Sequence, residues 1–97
     1  MIRIVKMTFS EHKTEDFLKL FDATKDLIRN QPGCKGLKLI RNLNQPNVFF
    51  TISIWEDEKS LENYRNSEVF KTVWTQTKRL FADKPEAWST EEIFHLE

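Results

Sequence analysis

The chain has 97 residues, of which 39% are hydrophobic and 31% are charged, a composition typical of a single globular domain spanning residues 1–97. Fifteen basic and fifteen acidic residues cancel, and no cluster of Lys or Arg alternates with aromatic residues, so nucleic acid is not an expected partner. A chain this short buries only about 60 to 65% of its unfolded surface. Eight Phe, three Trp and one Tyr are more than such a core easily hides, which favours self-association.

The start of the chain is unlike a secretion signal or a membrane anchor. Its apolar residues alternate with the charged Arg3 and Lys6, so it lacks the apolar run of a signal peptide. No segment approaches the roughly 20 apolar residues that cross a bilayer. The single cysteine, Cys34, has no partner for an internal disulfide, which fits a reducing compartment. We therefore expect a cytoplasmic protein that does not interact with membranes.

The period of the apolar pattern predicts the elements in chain order. They are a strand over Ile2–Phe9, a helix from Thr14 to about Asn30, strands over about Gly36–Arg41 and Val48–Trp55, a pair of helices after Asp57, and a last strand over Ala87–Leu96. The order β-α-β-β-α-β predicts a ferredoxin-like α+β fold, an antiparallel sheet with helices on one face. Because the strands carry apolar residues on both faces, we expect the helix-free face to pack against a second copy.

The stretch from Thr51 to Trp74 carries the most specific pattern. A strand runs through a Trp-x-Asp turn at Trp55 into a helix that contains Tyr64, and a Ser-x-x-Phe step follows at Ser67. This pattern resembles the core motif of the antibiotic biosynthesis monooxygenase family of dimeric α/β barrels. The resemblance implies a homodimer and a pocket between sheet and helices for a small aromatic or quinol ligand.

The resemblance also suggests the site residues. Tyr64 stands where members of the family often place a His or Trp facing the pocket, and it is the candidate catalytic residue because its hydroxyl can hydrogen-bond a substrate oxygen. Arg41 is expected to favour the phenolate form of the substrate. The remaining residues expected to form the pocket wall are Met7, Phe21, Phe50, Phe70 and Trp74.

No metal site or cofactor is expected. The sequence has no Cys-x-x-Cys or His-x-x-x-His motif, and His12 and His95 lie near opposite ends of the chain. The haem-degrading branch of the resembled family uses an Asn, a Trp and an axial His, and those positions are occupied here by Met7, Tyr64 and Trp74. An indole N–H donates hydrogen bonds without coordinating iron, so haem ligation in that geometry is not expected.

Three functional hypotheses follow. The first is a cofactor-independent monooxygenase acting on a quinol or fused-ring phenol, whose electron-rich anion reduces oxygen directly in a dry pocket. The second is a small-molecule binding or isomerising protein of the same fold, favoured if the pocket holds no proton acceptor. The third is a structural dimer module with a filled core. A cavity of about 300 Å³ or more, lined by Tyr64 and Trp74, would favour ligand chemistry over the third hypothesis.

Overall fold

A computed structural model describes all residues, 1–97, as one antiparallel sheet with its helices on one face. The elements are β1 (Ile2–Thr8), a short 3₁₀ turn (Glu11–Lys13), α1 (Thr14–Arg29), β2 (Cys34–Arg41), β3 (Val48–Trp55), α2 (Glu58–Arg65), α3 (Glu68–Lys78) and β4 (Glu86–Thr90). The sheet order is β2-β3-β1-β4, with all pairs antiparallel. The predicted ferredoxin-like α+β fold is confirmed. None of the helices has the length and apolar character needed to cross a membrane.

The last strand is shorter than predicted. It ends at Thr90, whereas the alternating pattern predicted a strand as far as Leu96. Thr90 pairs with Ile2, the first residue of β1, so the residues after Thr90 have no neighbouring strand to pair with. Ile93, Phe94 and Leu96 in this tail are between 77% and 82% exposed. The sequence alternation there is real, but alternation without a pairing partner does not make a strand.

Two side-chain caps divide the helical segment into α2 and α3. The Asp57 carboxylate accepts a hydrogen bond from the Ser60 backbone N–H at 2.8 Å, and this bond lowers the pKa of Asp57. Ser67 accepts from the Phe70 backbone N–H at 3.1 Å and donates to the Tyr64 carbonyl at 2.6 Å. The Ser-x-x-Phe step is therefore the N-cap of α3. It fixes the bend that lets Tyr64 and Phe70 meet edge to face, with ring centroids 5.2 Å apart.

The main core lies beneath one end of the sheet. Phe9 and Phe17 stack with ring centroids 4.1 Å apart, and Phe49 packs edge-on against both. Met7 completes this cluster, and all four residues are at most 3% exposed. A second cluster at the other end contains Trp55, Leu61 and Cys34. The space between the two clusters is where the candidate site lies.

The helix-free face of the sheet is apolar and partly open to solvent. The strand register puts Ile4, Ile52 and Trp88 side by side across β3, β1 and β4 on this face. Trp88 is 45% exposed and Ile54, two residues beyond Ile52, is 44% exposed. Such a contiguous exposed apolar face is typical of a protein–protein contact.

Candidate functional site

An apolar cavity of about 260 Å³ lies between the sheet and the helices. Fourteen of the 21 residues around it are hydrophobic, contributed by all three α-helices and all four strands. The volume is just below the roughly 300 Å³ at the lower end of small-molecule sites. Because space remains between sheet and helices, side chains do not interlock there as they do in the Phe9 cluster. The exposed residues Arg65 and Ala87 are among the residues around the cavity, so it opens to solvent beside β4.

Small side chains on the inner face of the sheet explain the cavity. On β3, the helix-facing positions read Phe49, Thr51, Ser53 and Trp55, so two short polar residues stand between two large aromatic ones. Thr51 pairs with Val5 on β1, which is also small, and Val5 pairs in turn with Ala87 on β4. Large side chains are needed to fill the gap between a sheet and the helices packed on it. The short residues leave that gap partly empty.

Tyr64 lies at the wall of the cavity with its ring held on two sides. The ring stacks on Trp55, with centroids 5.2 Å apart and planes 21° from parallel, and it meets Phe70 edge-on. The Trp55 indole is itself fixed, because its Nε1–H donates to the Ser53 Oγ at 2.8 Å. Burial, together with the nearby Cys34, raises the pKa of Tyr64 to about 12. At neutral pH the hydroxyl is therefore protonated, and it can donate a hydrogen bond to a ligand.

Two arginines give the open end of the cavity a positive charge. Arg3 points to the helix side from β1, an inner strand of the sheet, and Arg65 is the last residue of α2. The Arg3 Nη1–H donates to the Ser89 Oγ at 3.0 Å. Burial lowers the pKa of Arg3, and the positive charge of Arg65 lowers it further. None of the ion pairs in the structure involves an arginine, and no Asp or Glu borders the cavity.

The structure brings five of the seven sequence-predicted site residues to this cavity. The five are Met7, Phe21, Tyr64, Phe70 and Trp74. The structure gives the positions of these residues, and their role in ligand binding stays a prediction. The Phe70 and Trp74 rings stack with centroids 5.8 Å apart and form one continuous aromatic wall with Tyr64.

Arg41 and Phe50 lie away from the cavity. Phe50 pairs with Lys6 and Ile40 and points to the helix-free face, because side chains alternate along β3 and the inward positions are Phe49 and Thr51. The exposed Arg41 lies at the end of β2 beyond the cavity, with its guanidinium 4.6 Å from the centre of the Phe49 ring. It pairs with Phe49, lies on the same helix-facing side of the sheet, and packs at the edge of the aromatic core as a cation–π contact.

Sequence reasoning missed Arg3, Arg65 and the short residues Thr51 and Ser53. Arg3 was treated as one of the charges of an alternating strand. A signal for the cavity was nevertheless present in the pattern Phe-x-Thr-x-Ser-x-Trp that begins at Phe49, where small residues alternate with the outward Phe50, Ile52 and Ile54. Nothing in the sequence indicated that Arg65 would lie near Arg3.

No histidine or cysteine borders the cavity to ligate haem iron. Trp74, which the resemblance aligns with the axial His of the haem-degrading branch, has its ring stacked on Phe70. Met7, the remaining residue with a soft donor atom, is 3% exposed and packed among phenylalanines. Neither His12 nor His95 borders the cavity, and no group of three or more His, Cys, Asp or Glu side chains is arranged to hold a metal ion. The residues therefore do not fit a haem-degrading geometry.

Nearly the whole chain superimposes on solved structures that have the same fold. A conserved protein from Methanosarcina mazei has 23% identity and a TM-score of 0.83, over 89% of this chain and 86% of its own. A structure described as an antibiotic biosynthesis monooxygenase has 16% identity and a TM-score of 0.87, over 96% and 99%. Rv0793 from Mycobacterium tuberculosis has 14% identity and a TM-score of 0.87, over 99% and 97%.

These identities establish a shared fold rather than a shared activity. No protein of curated function matches the chain significantly. The sequence model of the family described as antibiotic biosynthesis monooxygenase matches residues 1–75, which include β1 and the motif from Trp55 to Phe70. The chain therefore belongs to the antibiotic biosynthesis monooxygenase family.

Proposed function

We propose that the protein is a cofactor-independent monooxygenase that inserts one oxygen atom into a quinol or fused-ring phenol. The observation that carries the proposal is the apolar cavity with three polar features, the protonated Tyr64 hydroxyl and the guanidinium groups of Arg3 and Arg65. The aromatic wall suits a flat ring system. The polar groups can stabilise the substrate oxygen atom that becomes negatively charged.

The chemistry asks little of the protein. A phenolate or hydroquinone anion transfers one electron to dioxygen, the substrate radical and superoxide combine, and the resulting peroxide loses water. Overall, hydroquinone and dioxygen give hydroxyquinone and water, so the substrate supplies all four electrons and one oxygen atom leaves as water. The protein binds the ring, stabilises the anion and keeps bulk water away from the peroxide.

In this proposal no general base removes the substrate proton, and two cations and a hydroxyl group stabilise the ionised substrate instead. No Asp, Glu or His borders the cavity, and the raised pKa of Tyr64 makes its phenolate scarce at neutral pH. The substrate proton therefore goes to solvent at the open end of the cavity. Positive charge from Arg3 and Arg65 favours the ionised substrate, because an opposite charge within about 4 to 6 Å lowers the pKa of an acid. Tyr64 donates a hydrogen bond to the same oxygen.

A homodimer is part of the proposal. The exposed apolar face that contains Ile54 and Trp88 matches what a stable interface requires, and a second copy would cover it through two-fold symmetry. A standard interface buries roughly 1,600 Å² in total. The helix side of the sheet, with the cavity, stays accessible in such a dimer.

A small-molecule binding protein is the second candidate. Ligand binding needs no proton transfer, so the absence of a proton acceptor around the cavity supports this candidate, and the same absence speaks against isomerisation, which needs a group that takes and returns a proton. The cavity of about 260 Å³ falls short of the criterion of about 300 Å³, so the third hypothesis, a structural module with a filled core, is disfavoured only by the unfilled space beside Tyr64 and Trp74 and not by the cavity volume.

Oxygen uptake with a filled-cavity variant tests the proposal. Wild-type protein, given a panel of quinols and anthrones, is expected to consume one dioxygen per substrate, and with isotopically labelled dioxygen one labelled atom should appear in the product. Thr51→Leu should abolish uptake by filling the cavity. Thr75→Leu, the same change at an exposed position of α3, should not. Peroxide release without incorporation of the label would overturn the monooxygenase assignment, and ligand binding without oxygen uptake would support the binding protein.

A further inference from the structure

The two arginines of the cavity lack the partners that a structural role would require. Arg3 uses one of its five N–H donors on the Ser89 hydroxyl, and the guanidinium of the exposed Arg65 makes no hydrogen bond to the chain. Arg3 is half-buried and its contact with Ser89 is exposed, so its remaining N–H donors are open to solvent or to a ligand and meet no opposite charge of the chain. The acidic residues at the start of α2, Asp57 and Glu58, do not border the cavity.

A helix-dipole role accounts for one of the arginines at most. Arg65 is in the last turn of α2, where a cation is stabilised by the helix dipole. Arg3 lies on β1 and gains nothing from a helix end. The two cations also repel each other, because Arg65 lowers the pKa of Arg3. A site that keeps two like charges beside an apolar cavity is suited to a ligand that brings the opposite charge.

We propose that the natural ligand of this cavity is an aromatic compound that is already an anion at neutral pH, with its charged group held between Arg3 and Arg65. This inference rests on the proposed function, because it uses the same cavity, and it narrows the substrate class from phenols in general to acidic aromatic compounds. The charged oxygen atoms lie at the open end. The ring extends inward along Tyr64, Phe70 and Trp74, and Thr51 faces it from the sheet.

The anion is either a ring carboxylate or a phenolate of an acidic phenol. Both present oxygen atoms that a guanidinium group binds through parallel hydrogen bonds. A carboxylate offers two coplanar acceptors and fits the fork of one arginine, whereas a phenolate offers a single oxygen for both. The two ligand types are distinguishable by binding, without any turnover.

Calorimetric titration with 2-naphthoate and its uncharged amide tests the inference directly. We expect the carboxylate to bind about 10- to 100-fold more tightly, since a hydrogen bond to a charged group contributes about that factor. An ionised nitronaphthol serves as the phenolate probe against the matching methyl ether. Preference for the anion in either pair supports the inference and identifies the type. Equal affinity within both pairs, or no binding of any probe, would overturn it.

Arginine variants show whether the two side chains carry the preference. Arg65→Gln should reduce carboxylate affinity about 10-fold or more while leaving the amide unchanged, and Arg3→Lys, which keeps the charge, should reduce it less than Arg3→Gln. Arg79→Gln is the matched control, because Arg79 is exposed on the C-terminal side of α3 and does not border the cavity. Anion preference that survives in an Arg3→Gln and Arg65→Gln double variant would refute the assignment. Because these assays measure binding alone, absence of oxygen uptake would refute the proposed function without refuting the anion site.

Discussion

Replacing Tyr64 by Phe separates a catalytic hydroxyl from a packing ring. The ring contacts with Trp55 and Phe70 survive the change, and the hydroxyl makes no hydrogen bond within the chain, so no protein contact is lost. We therefore expect the thermal midpoint at pH 7 to stay close to that of the wild type. A bond from this hydroxyl to an anionic substrate oxygen is worth about 1.5 to 3 kcal/mol, which predicts a rate lower by roughly 10- to 150-fold.

The assay is oxygen-electrode turnover of the best substrate of the quinol and anthrone panel, with melting curves measured on the same samples. Tyr64→Leu is the companion variant, because it removes both the hydroxyl and the ring. The two aromatic pairs are worth about 0.5 to 1.5 kcal/mol each, so this variant should be less stable by about 1 to 3 kcal/mol. Equal turnover by the wild type and Tyr64→Phe would refute the assigned role. A large stability loss in Tyr64→Phe would refute the claim that the hydroxyl is free.

Three further predictions concern pH, assembly and haem. The folded-state pKa of Tyr64, about 12, lies above its ordinary value of 10.0, so the neutral phenol contributes stability below pH 10 that is lost as the pH rises toward 12. Relative to Tyr64→Phe, the wild type should lose about 3 kcal/mol of stability over this pH range. The chain has a single tyrosine, so an absorbance titration of its ionisation tests this directly, and a midpoint near pH 10 would contradict it. Light scattering after gel filtration should give a dimer for the wild type and a monomer for Ile54→Glu, and a wild-type monomer at micromolar concentration would exclude the proposed interface. Haemin titration should give no sharp Soret band, and a band that Trp74→Ala removes would show that Trp74 takes part in haem binding after all.

The sequence predicted the elements better than it predicted which way their side chains point. The strand over Val48–Trp55 was predicted with the correct bounds, because its apolar and β-branched residues are bounded by turn residues on both sides. The alternation of Phe50, Ile52 and Ile54 was equally clear. It could not show which of the two faces would meet the helices, since both alternating sets contain large aromatic or aliphatic residues.

The same distinction, between elements that the sequence predicted and side-chain directions that it did not, applies to the site residues. Tyr64, Phe70 and Trp74 lie on helices whose apolar stripe has one partner, the sheet, so their direction was predictable from helical spacing. Arg3 and Arg65 are 62 positions apart in the numbering and belong to different elements. Their proximity depends on how α2 packs against β3, the neighbour of β1 in the sheet. No local sequence pattern contains that information, so the arginine pair could be recognised only in the folded structure.

The register of β3 determines which of its side chains face the helices and which face outward. It therefore links the candidate site to the proposed interface, because β3 contributes side chains to both. A slip of one residue would turn Phe50, Ile52 and Ile54 toward the helices, filling the cavity with large side chains and leaving Thr51 and Ser53 on the outer face. The native register is held at one end by Trp55, which is 1% exposed and hydrogen-bonded to Ser53, and opposite it the pairing of β2 with β3 shifts register between Cys34 and Gly36. Burial of Trp55 at one end and Phe49 at the other therefore places the short polar residues between them on the helix-facing side. The same choice leaves an apolar sheet surface outside, so in this fold an open cavity and a surface suited to a second copy arise from one register.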